Sequence, residues 1–450
     1  MNEVKSKKVW AAFTLHREIR QALAGDAMKE PSVFTYILFN LRKDIFWRLM
    51  IALVLILVGI YIKMSTPHMS DLLTLLGFAA IVAELYLVWR EVREVITSPY
   101  EFDSGLDDRY FSSLKPQAHN WTITKICEWV TFSDDINAWL IGEQPKISLK
   151  KLATANKYES KLLSRLEGFH EVMALYLADR LRKSTGKALQ NQNKIALVNE
   201  LATGAKEVVI AKTRYFTSLA TNDACSQIGN VENEPVLNMT SLFPSAKESG
   251  SYRMKSIAES DLSNHIGVST VMLDPDGVVP LPCQGKGAQR SSGKLAPSGS
   301  GSLDWQDQRS ATDLLALVRI GVEREFREEL GSNQNHDEET LVIGYFRWLR
   351  FGGLPQFICI SKMTSRYSDL VAQKSEVDRR IRTLSGGAIF TVKQAINGFR
   401  AIITGPELGD QGVSVPLAVT AHFLVQVLTG QLGDPAKERV VAFWGLKESG

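Results

Sequence analysis

The sequence predicts an α+β protein with a two-helix N-terminal transmembrane hairpin, a helical connector and a C-terminal α/β/α sandwich. Two long apolar runs lie close together near the N-terminus, which is typical of a membrane hairpin. A charged stretch with helical periodicity follows. Beyond it, short apolar runs bounded by turn residues alternate with longer helical ones. The predicted units are residues 1–44, 45–92, 93–205 and 206–450.

The composition bounds the class of protein. The 450 residues are enough for about two to four domains. A formal net charge of +3 is close to balance, so DNA or RNA is not an expected partner. The cysteines are far apart and match no zinc or redox spacing, which favours reduced thiols in a cytosolic body. They are Cys127, Cys225, Cys283 and Cys359.

Residues 1–44 are predicted to be a basic cytoplasmic segment. The first apolar run begins only after about forty residues, so no cleavable signal peptide is expected. Val9–Leu23 has helical periodicity with aromatic residues, and it either lies along a membrane surface or packs on the cytosolic body.

Two apolar runs form the predicted hairpin. Ile45–Ile62 contains one charge, Arg48, and Leu72–Trp89 contains only Glu84. Each run is close to the roughly twenty residues that cross a hydrocarbon core. Basic residues flank both the entry and the exit, so both termini are expected in the cytoplasm, with the chain a multi-pass protein of the inner (cell) membrane.

The two charges inside the hairpin carry different expectations. Arg48 can extend to the headgroups of the lipid bilayer. Glu84 lies several residues inside its span, where a carboxylate is costly and usually faces a helix interface or a wet cavity. Two helices enclose no pore, so conduction or disruption would require a homo-oligomer. Simple anchorage is the alternative.

The cytosolic part is predicted to begin helical and then change to strands. Ser148–Lys183 has the pattern of an amphipathic helix or helical pair. Asp274-Pro275-Asp276-Gly277 and Gly352-Gly353 are turn signals that separate neighbouring strands. The predicted strands are Val208–Thr217, Ile266–Leu273, Val278–Gln284, Thr340–Leu349 and Leu354–Ile360. Helices are predicted at Ser375–Leu384 and Leu417–Gln431.

An acidic motif ends a long predicted helix that opens at Ser310 as N-cap. Its order is Arg-Glu-x-x-Glu-Glu-x-Gly, and its carboxylates share one helix face, which suits a hard divalent ion such as Mg²⁺. The alternative is a solvated helix end, with an Arg324–Glu328 ion pair and Gly331 terminating the helix. The motif residues are Arg324, Glu325, Glu328, Glu329 and Gly331.

A glycine- and serine-rich stretch upstream of this helix is predicted to be a shaped loop that binds a ligand. Glycines let backbone N–H groups approach phosphates closely. Arg290 and Arg324 are the expected phosphate contacts, since an arginine can donate two charge-assisted hydrogen bonds to one phosphate. The other predicted ligand-binding residues are Ser298, Gly299, Ser300, Gly301, Ser302, Asp304 and Trp305.

The acidic motif resembles the second half of the Nudix box, Arg-Glu-hydrophobic-x-Glu-Glu-x-Gly-hydrophobic. Phe326 fills the first hydrophobic position, but Ser332 stands at the last. The family pattern also requires an upstream Gly and Glu, where this chain has Ser310 and Ala316. The resemblance therefore supports a Nudix-like fold more strongly than Nudix hydrolysis.

The arrangement of the whole chain resembles the transmembrane effectors with a SMODS-associated Nudix domain, found in bacterial cyclic-oligonucleotide antiphage signalling (CBASS). That resemblance implies a domain that binds a cyclic oligonucleotide made by a partner synthase. Binding then drives assembly of the hairpins, membrane disruption and abortive infection. It implies no catalytic residue and no required cofactor, with Mg²⁺ possible at Glu325, Glu328 and Glu329.

Two other functions stay open at this point. One is a membrane-tethered pyrophosphohydrolase of nucleoside diphosphate derivatives, in which Mg²⁺ at the same acids would activate water. The other is a scaffold whose Nudix-like fold binds only protein. Fold alone does not choose among these functions.

Overall fold

The computed structural model describes residues 100–448 most fully. The predicted segment 1–44, most of the hairpin 45–92, and both Arg48 and Glu84 lie outside the described residues. Among the residues that are described, no helix combines the length and apolar character needed to cross a bilayer. Described are residues 83, 86–87, 100–152, 176, 179–180, 191–231, 234–284, 290–330, 339–367, 377–383, 387–404 and 412–448.

The described residues form a mixed α/β structure. The strands are β1 (Tyr100–Ser104), β2 (Thr122–Lys125), β3 (Trp129–Phe132), β4 (Ser148–Lys151), β5 (Asn193–Leu197), β6 (Glu207–Arg214), β7 (Gln227–Val231), β8 (Glu234–Asn238), β9 (Ser245–Glu248), β10 (Ser251–Met254), β11 (Gly267–Leu273), β12 (Pro280–Gln284), β13 (Gly299–Ser302), β14 (Glu339–Trp348), β15 (Leu354–Lys362) and β16 (Val377–Thr383). The helices are α1 (Asp108–Ser113), α2 (Asp134–Glu143), α3 (Tyr215–Ser218), α4 (Leu314–Leu330), α5 (Val392–Thr404), α6 (Val415–Leu428) and α7 (Asp434–Trp444).

A six-stranded sheet with the order β13-β11-β15-β14-β3-β2 organises the domain. β11 and β15 run parallel, and the other neighbours are antiparallel. β11 is buried along its whole length and β15 at every position but its last, as expected for strands covered on both faces. Along β15, Phe357 and Cys359 enter one core, and Ile358 and Ile360 enter the other.

Helices cover both faces of this sheet. On one face α4 packs through Leu315, Val318 and Val322. On the other face α5, α6 and α7 contribute Phe399, Phe423 and Trp444. These aromatic and branched side chains bury large apolar areas, each stabilising by about 1.5–3 kcal/mol relative to exposure. The sheet is therefore the middle layer of the domain; its assignment to the Nudix-like family stays a prediction.

The region predicted as a helical connector differs from that prediction. β2 and β3 lie within residues 93–205, yet they extend the central sheet beyond β14. Ser148–Lys151, predicted to open an amphipathic helix, is instead β4 and pairs with β6. Pairing with a strand distant in sequence overrides the local helical pattern here. Most of residues 153–190 lies outside the described residues.

Strand predictions succeed where a turn signal bounds the strand. β6, β11, β12, β14 and β15 are confirmed to within a few residues. Gly277, Gly352 and Gly353 all have positive φ, at 75°, 63° and 74°. These are backbone conformations that glycine adopts without strain, so the turns fall where the sequence places them. The helix predicted at Ser375–Leu384 is wrong, because Val377–Thr383 is β16 and pairs with β12.

A buried ionic network ties β14 to the loop between β5 and β6. Arg347 is fully buried, and its Nη1 donates to Glu200 Oε2 and to Lys255 O, both at 3.0 Å. Its Nε donates to Gly353 O at 3.0 Å, and the hydroxyl of Tyr345 donates to Glu200 Oε1 at 3.2 Å. A buried charge is tolerated only with such pairing. The network therefore fixes the Gly352-Gly353 turn to the sheet.

Helix α4 lies directly on the edge strand β13. A Cβ atom on Gly299 would lie 3.2 Å from Phe326 Cα, and one on Gly301 would lie 2.0 Å from the carboxyl carbon of Glu325. Glycines at these two positions let the helix approach the strand closely. This contact brings the acidic motif against the edge of the sheet.

Candidate functional site

Arg324 is the centre of a charged cluster at the contact between α4 and β13. Its Nη2 donates to Ser302 O at 2.9 Å, and its Nη1 donates to Glu325 Oε1 at 2.8 Å. Nε and Nη2 reach both carboxylate oxygens of Asp307, at 3.2 and 3.1 Å. Asp304 and Glu328 complete the cluster at 3.6 and 3.5 Å from Nη1. We call Arg324 with Ser302, Asp304, Asp307, Glu325 and Glu328 the Arg324 cluster.

The surroundings of Arg324 keep it charged. Burial opposes the charge, but the carboxylates, Glu325 first, raise the pKa of Arg324 above its ordinary value. Its donors face carboxylates and a backbone carbonyl of the same domain. A phosphate contact at Arg324, as the sequence predicts, would therefore have to displace part of this cluster.

Glu325 has the most perturbed carboxyl group of the cluster. Its side chain is only 13% exposed, and its Oε1 accepts a hydrogen bond from Ser302 N at 3.2 Å. Burial raises the pKa of Glu325 to about 7; Arg324 and Lys194 oppose the shift, and Glu328 adds to it. Glu325 thus changes its charge near neutral pH, which an ordinary carboxyl group does not do.

The predicted metal-binding carboxylates do not converge on one point. Glu325 turns inward under Arg324, whereas the side chain of Glu328 is 61% exposed. The side chain of Glu329 lies outside the described residues. Within the described part of the chain, no group of three or more acidic, histidine or cysteine side chains is arranged to hold a metal ion. The guanidinium of Arg324 lies 2.8 Å from Glu325 and 3.5 Å from Glu328, so a divalent ion at these two carboxylates would have to displace it.

The predicted glycine loop differs in the structure. Gly299–Ser302 is β13 and pairs with β11, and the two glycines face α4 rather than an open cleft. Ser298 is buried, where its Oγ donates to Pro280 O at 2.7 Å and accepts from Met272 N at 3.0 Å. A run of small residues can serve an edge strand under a helix as well as a loop, so the sequence pattern alone was ambiguous.

The end of β13 connects the Arg324 cluster to β5. Asp304 accepts a hydrogen bond from the buried Lys194, and its backbone N–H donates to Asp307 Oδ2 at 2.8 Å. The backbone N–H of Trp305 donates to Asn193 O at 2.9 Å, and its ring packs against the core beneath α4. Lys194 and Asp307 were not singled out from the sequence, because neither belongs to a motif and each reaches the cluster through the tertiary fold.

Arg290, the other predicted phosphate contact, lies in a separate cluster. Its guanidinium forms a two-oxygen ion pair with Asp223, with Nε 3.3 Å from Oδ2, and lies 4.7 Å from the centre of the Phe351 ring. Arg180 Nη2 lies 3.6 Å from the same Oδ2. We call Arg180, Asp223 and Arg290 the Asp223 cluster. The structure therefore does not bring Arg290 and Arg324 onto one set of contacts.

His265 lies in the electrostatic field of both regions. It is buried, and burial together with the charges of Arg290 and Lys194 holds its pKa well below the ordinary value. Its Nδ1 has no hydrogen-bond partner among the described residues. Buried polar atoms nearly always have a partner, so this imidazole points to a ligand or water nearby.

Glu325→Gln tests the titration of the buried carboxyl. In the folded protein the pKa of Glu325 is about 7, above the ordinary 4.5. Ionisation of Glu325 therefore lowers the stability of the folded state as the pH rises from 4.5 to 7, and the full loss is reached above pH 7. Glutamine cannot ionise. We therefore expect the melting temperature of Glu325→Gln, relative to wild type, to rise from pH 5 to pH 8. Glu448→Gln, which removes a 63% exposed carboxylate, is the control. Parallel pH curves for wild type and Glu325→Gln would contradict the assignment.

Gly299→Ala tests the close contact between α4 and β13. The added methyl would lie 3.2 Å from Phe326 Cα and 3.3 Å from Phe326 N, so the helix backbone has to move away from the strand. Overpacking of this kind costs about 1–3 kcal/mol, so thermal unfolding should begin at lower temperature. Gly142→Ala in α2 is the matched control, since its nearest neighbour would be 3.9 Å away. Equal melting temperatures for the two variants would be evidence against this role of Gly299.

Comparison with known proteins identifies no family. No family model matches the chain, and no curated protein matches it. Among solved structures, the crystal structure of DR0079 from Deinococcus radiodurans aligns with 35% of this chain and 81% of its own, at 13% identity and a TM-score of 0.24. So low a TM-score carries no argument about fold or function.

Proposed function

We propose that the chain is a membrane effector of cyclic-oligonucleotide antiphage signalling. Its C-terminal domain binds a cyclic nucleotide second messenger, and binding drives oligomerisation of the transmembrane hairpins, membrane disruption and abortive infection. The observation that supports this most is the Arg324 cluster. Two carboxylates of the degenerate box, Glu325 and Glu328, are paired with an arginine of the same helix, which favours binding over metal-dependent hydrolysis.

Cationic side chains in the Asp223 cluster and beside Asp304 also support an anionic ligand. Lys194, Arg290 and Arg180 come from distant parts of the chain. Each meets a carboxylate: Lys194 pairs with Asp304, and the two arginines with Asp223. Arginine is suited to phosphodiester recognition, because its planar donors bind two phosphate oxygens together. A cyclic oligonucleotide presents such phosphates with several bases and a fixed shape.

One observation favours a second function, the membrane-tethered Nudix pyrophosphohydrolase. With a pKa of about 7, Glu325 is partly ionised at neutral pH, which is where a general base works best. Its carboxylate, however, faces Ser302 N and Arg324. For hydrolysis the carboxylate would have to leave these partners to reach a water molecule, so this function is the less favoured of the two.

The full chain in lipid nanodiscs, incubated with a panel of cyclic di- and trinucleotides, distinguishes these functions. We expect one cyclic nucleotide to raise the melting temperature while remaining chemically intact. At a free concentration of 100 times the dissociation constant, a ligand stabilises the folded state by about 2.7 kcal/mol. Thermal shift and chromatography of the nucleotide are followed on the same samples.

Variants in the acidic motif are the control. Glu328→Gln and Glu329→Gln should retain nucleotide binding and leave toxicity in cells largely intact. Consumption of the nucleotide that requires Mg²⁺ and is lost in these folded variants would identify a hydrolase. If no cyclic nucleotide in the panel raises the melting temperature or is consumed, the protein-binding scaffold becomes the favoured function.

A further inference from the structure

The Asp223 cluster joins three segments that are far apart in sequence. Arg180 belongs to the helical residues that precede β5, Asp223 ends the π-helix Leu219–Asp223, and Arg290 precedes β13. Two guanidinium groups thus meet a single carboxylate. A buried carboxylate needs one charge partner, and a second guanidinium beside it is more than pairing requires.

The π-helix holds the carboxylate in a fixed position. All of its residues are buried. Asn222 anchors it, donating from Nδ2 to Phe351 O at 3.0 Å and accepting from Asn264 N at 2.9 Å. Short π-helical turns are rare and are found frequently at functional sites. Asp223 is therefore presented to the arginines by a rigid and unusual piece of backbone.

The two arginines are bound unequally. Arg290 engages both oxygens of Asp223, whereas Arg180 Nη2 lies 3.6 Å from Oδ2, beyond hydrogen-bonding distance. Arg180 Nε instead donates to the hydroxyl of Tyr176 at 3.0 Å. A carboxylate has two oxygens and one charge, while a phosphate has more oxygens and can accept from two guanidinium groups at once.

The arginines are also more accessible than the carboxylate. The side chains of Arg180 and Arg290 are 20% and 19% exposed, whereas Asp223 is 0% exposed. Asp223 therefore lies deeper in the fold than the two arginine side chains. Burial, and after it the charge of the nearby Arg290, lowers the pKa of His265, and the Nδ1 of this imidazole has no hydrogen-bond partner among the described residues.

We propose that Arg180 and Arg290 form a binding site for a phosphate group, and that the carboxylate of Asp223 substitutes for that anion when no ligand is bound. The phosphate accepts hydrogen bonds from both guanidinium groups and weakens the hold of Asp223 on them. The identity of the ligand as a cyclic nucleotide rests on the proposed function, whereas the anion site itself does not.

Arg180 connects the site to the segment that follows the predicted membrane hairpin. Its neighbour Tyr176 packs edge-on against Phe102, with ring centres 5.1 Å apart. Phe102 belongs to β1, which follows the predicted hairpin in sequence. Phosphate binding that pulls on Arg180 therefore acts on the segment next to the predicted membrane helices.

Inorganic pyrophosphate and the full-length protein in nanodiscs test the site by calorimetric titration and thermal unfolding. We expect Asp223→Asn, which removes the competing charge, to bind pyrophosphate at least tenfold more tightly than wild type. Pyrophosphate should also restore the melting temperature that this variant loses. Arg180→Gln and Arg290→Gln should weaken binding at least tenfold. Arg109→Gln, at a side chain that is 94% exposed, is the matched control and should bind as wild type.

The cluster is only structural if Asp223→Asn folds and pyrophosphate changes neither its melting temperature nor its affinity. If Asp223→Asn does not fold, Arg180→Lys tests the phosphate site instead. It keeps the charge but loses the two-donor geometry, so unchanged pyrophosphate affinity relative to wild type would overturn the proposal. Failure of the site is separable from failure of the proposed function. If a cyclic nucleotide stabilises wild type, Arg180→Gln and Arg290→Gln equally, the proposed phosphate site is wrong and the proposed function stands. If pyrophosphate binds but no cyclic nucleotide does, the phosphate site stands and the proposed function is wrong.

Discussion

The close contact between helix α4 and strand β13 is the constraint on which the rest of the site depends. Gly299 and Gly301 remove the side chains that would otherwise separate helix from strand. Because the gap is closed, Glu325 is buried against Ser302. Arg324 then lies among the carboxylates of Asp304 and Asp307, which follow β13, and of Glu325 on its own helix. An acidic motif on a solvated helix would have no such partners. The Arg324 cluster is thus a consequence of backbone proximity.

Much of the fold follows from local signals, and the exceptions have a common cause. The long helix predicted before the acidic motif is present as α4, and its apolar residues Leu315, Val318, Val322 and Phe326 are buried. Its start differs from the prediction: the helix begins at Leu314, with Asp313 Oδ1 accepting from Ala316 N at 2.9 Å, rather than being capped at Ser310. β4, β13 and β16 were not predicted, because each is defined by a partner strand rather than by its own periodicity.

Some residues of the candidate site were predictable from the sequence, but their pairing was not. The i,i+4 spacing correctly gives the Arg324–Glu328 ion pair, seen at 3.5 Å, which was the alternative to a metal site. The spacing could not show that Glu325 turns inward, because that depends on Gly301 in β13. Nor could spacing reveal Lys194 or Asp223, whose roles arise from segments brought together by folding. Two separate charged clusters result, one in which carboxylates surround Arg324 and one in which Arg180 and Arg290 share Asp223.

The proposed function requires that ligand binding in the C-terminal domain acts on the membrane. The most direct measurement is dye release from phosphatidylethanolamine and phosphatidylglycerol liposomes that contain the full chain, after addition of each member of a cyclic di- and trinucleotide panel. We expect rapid release with one cyclic nucleotide, none with its linear form, and no loss of the nucleotide. Liposomes that stay sealed while a cyclic nucleotide binds with high affinity would contradict it.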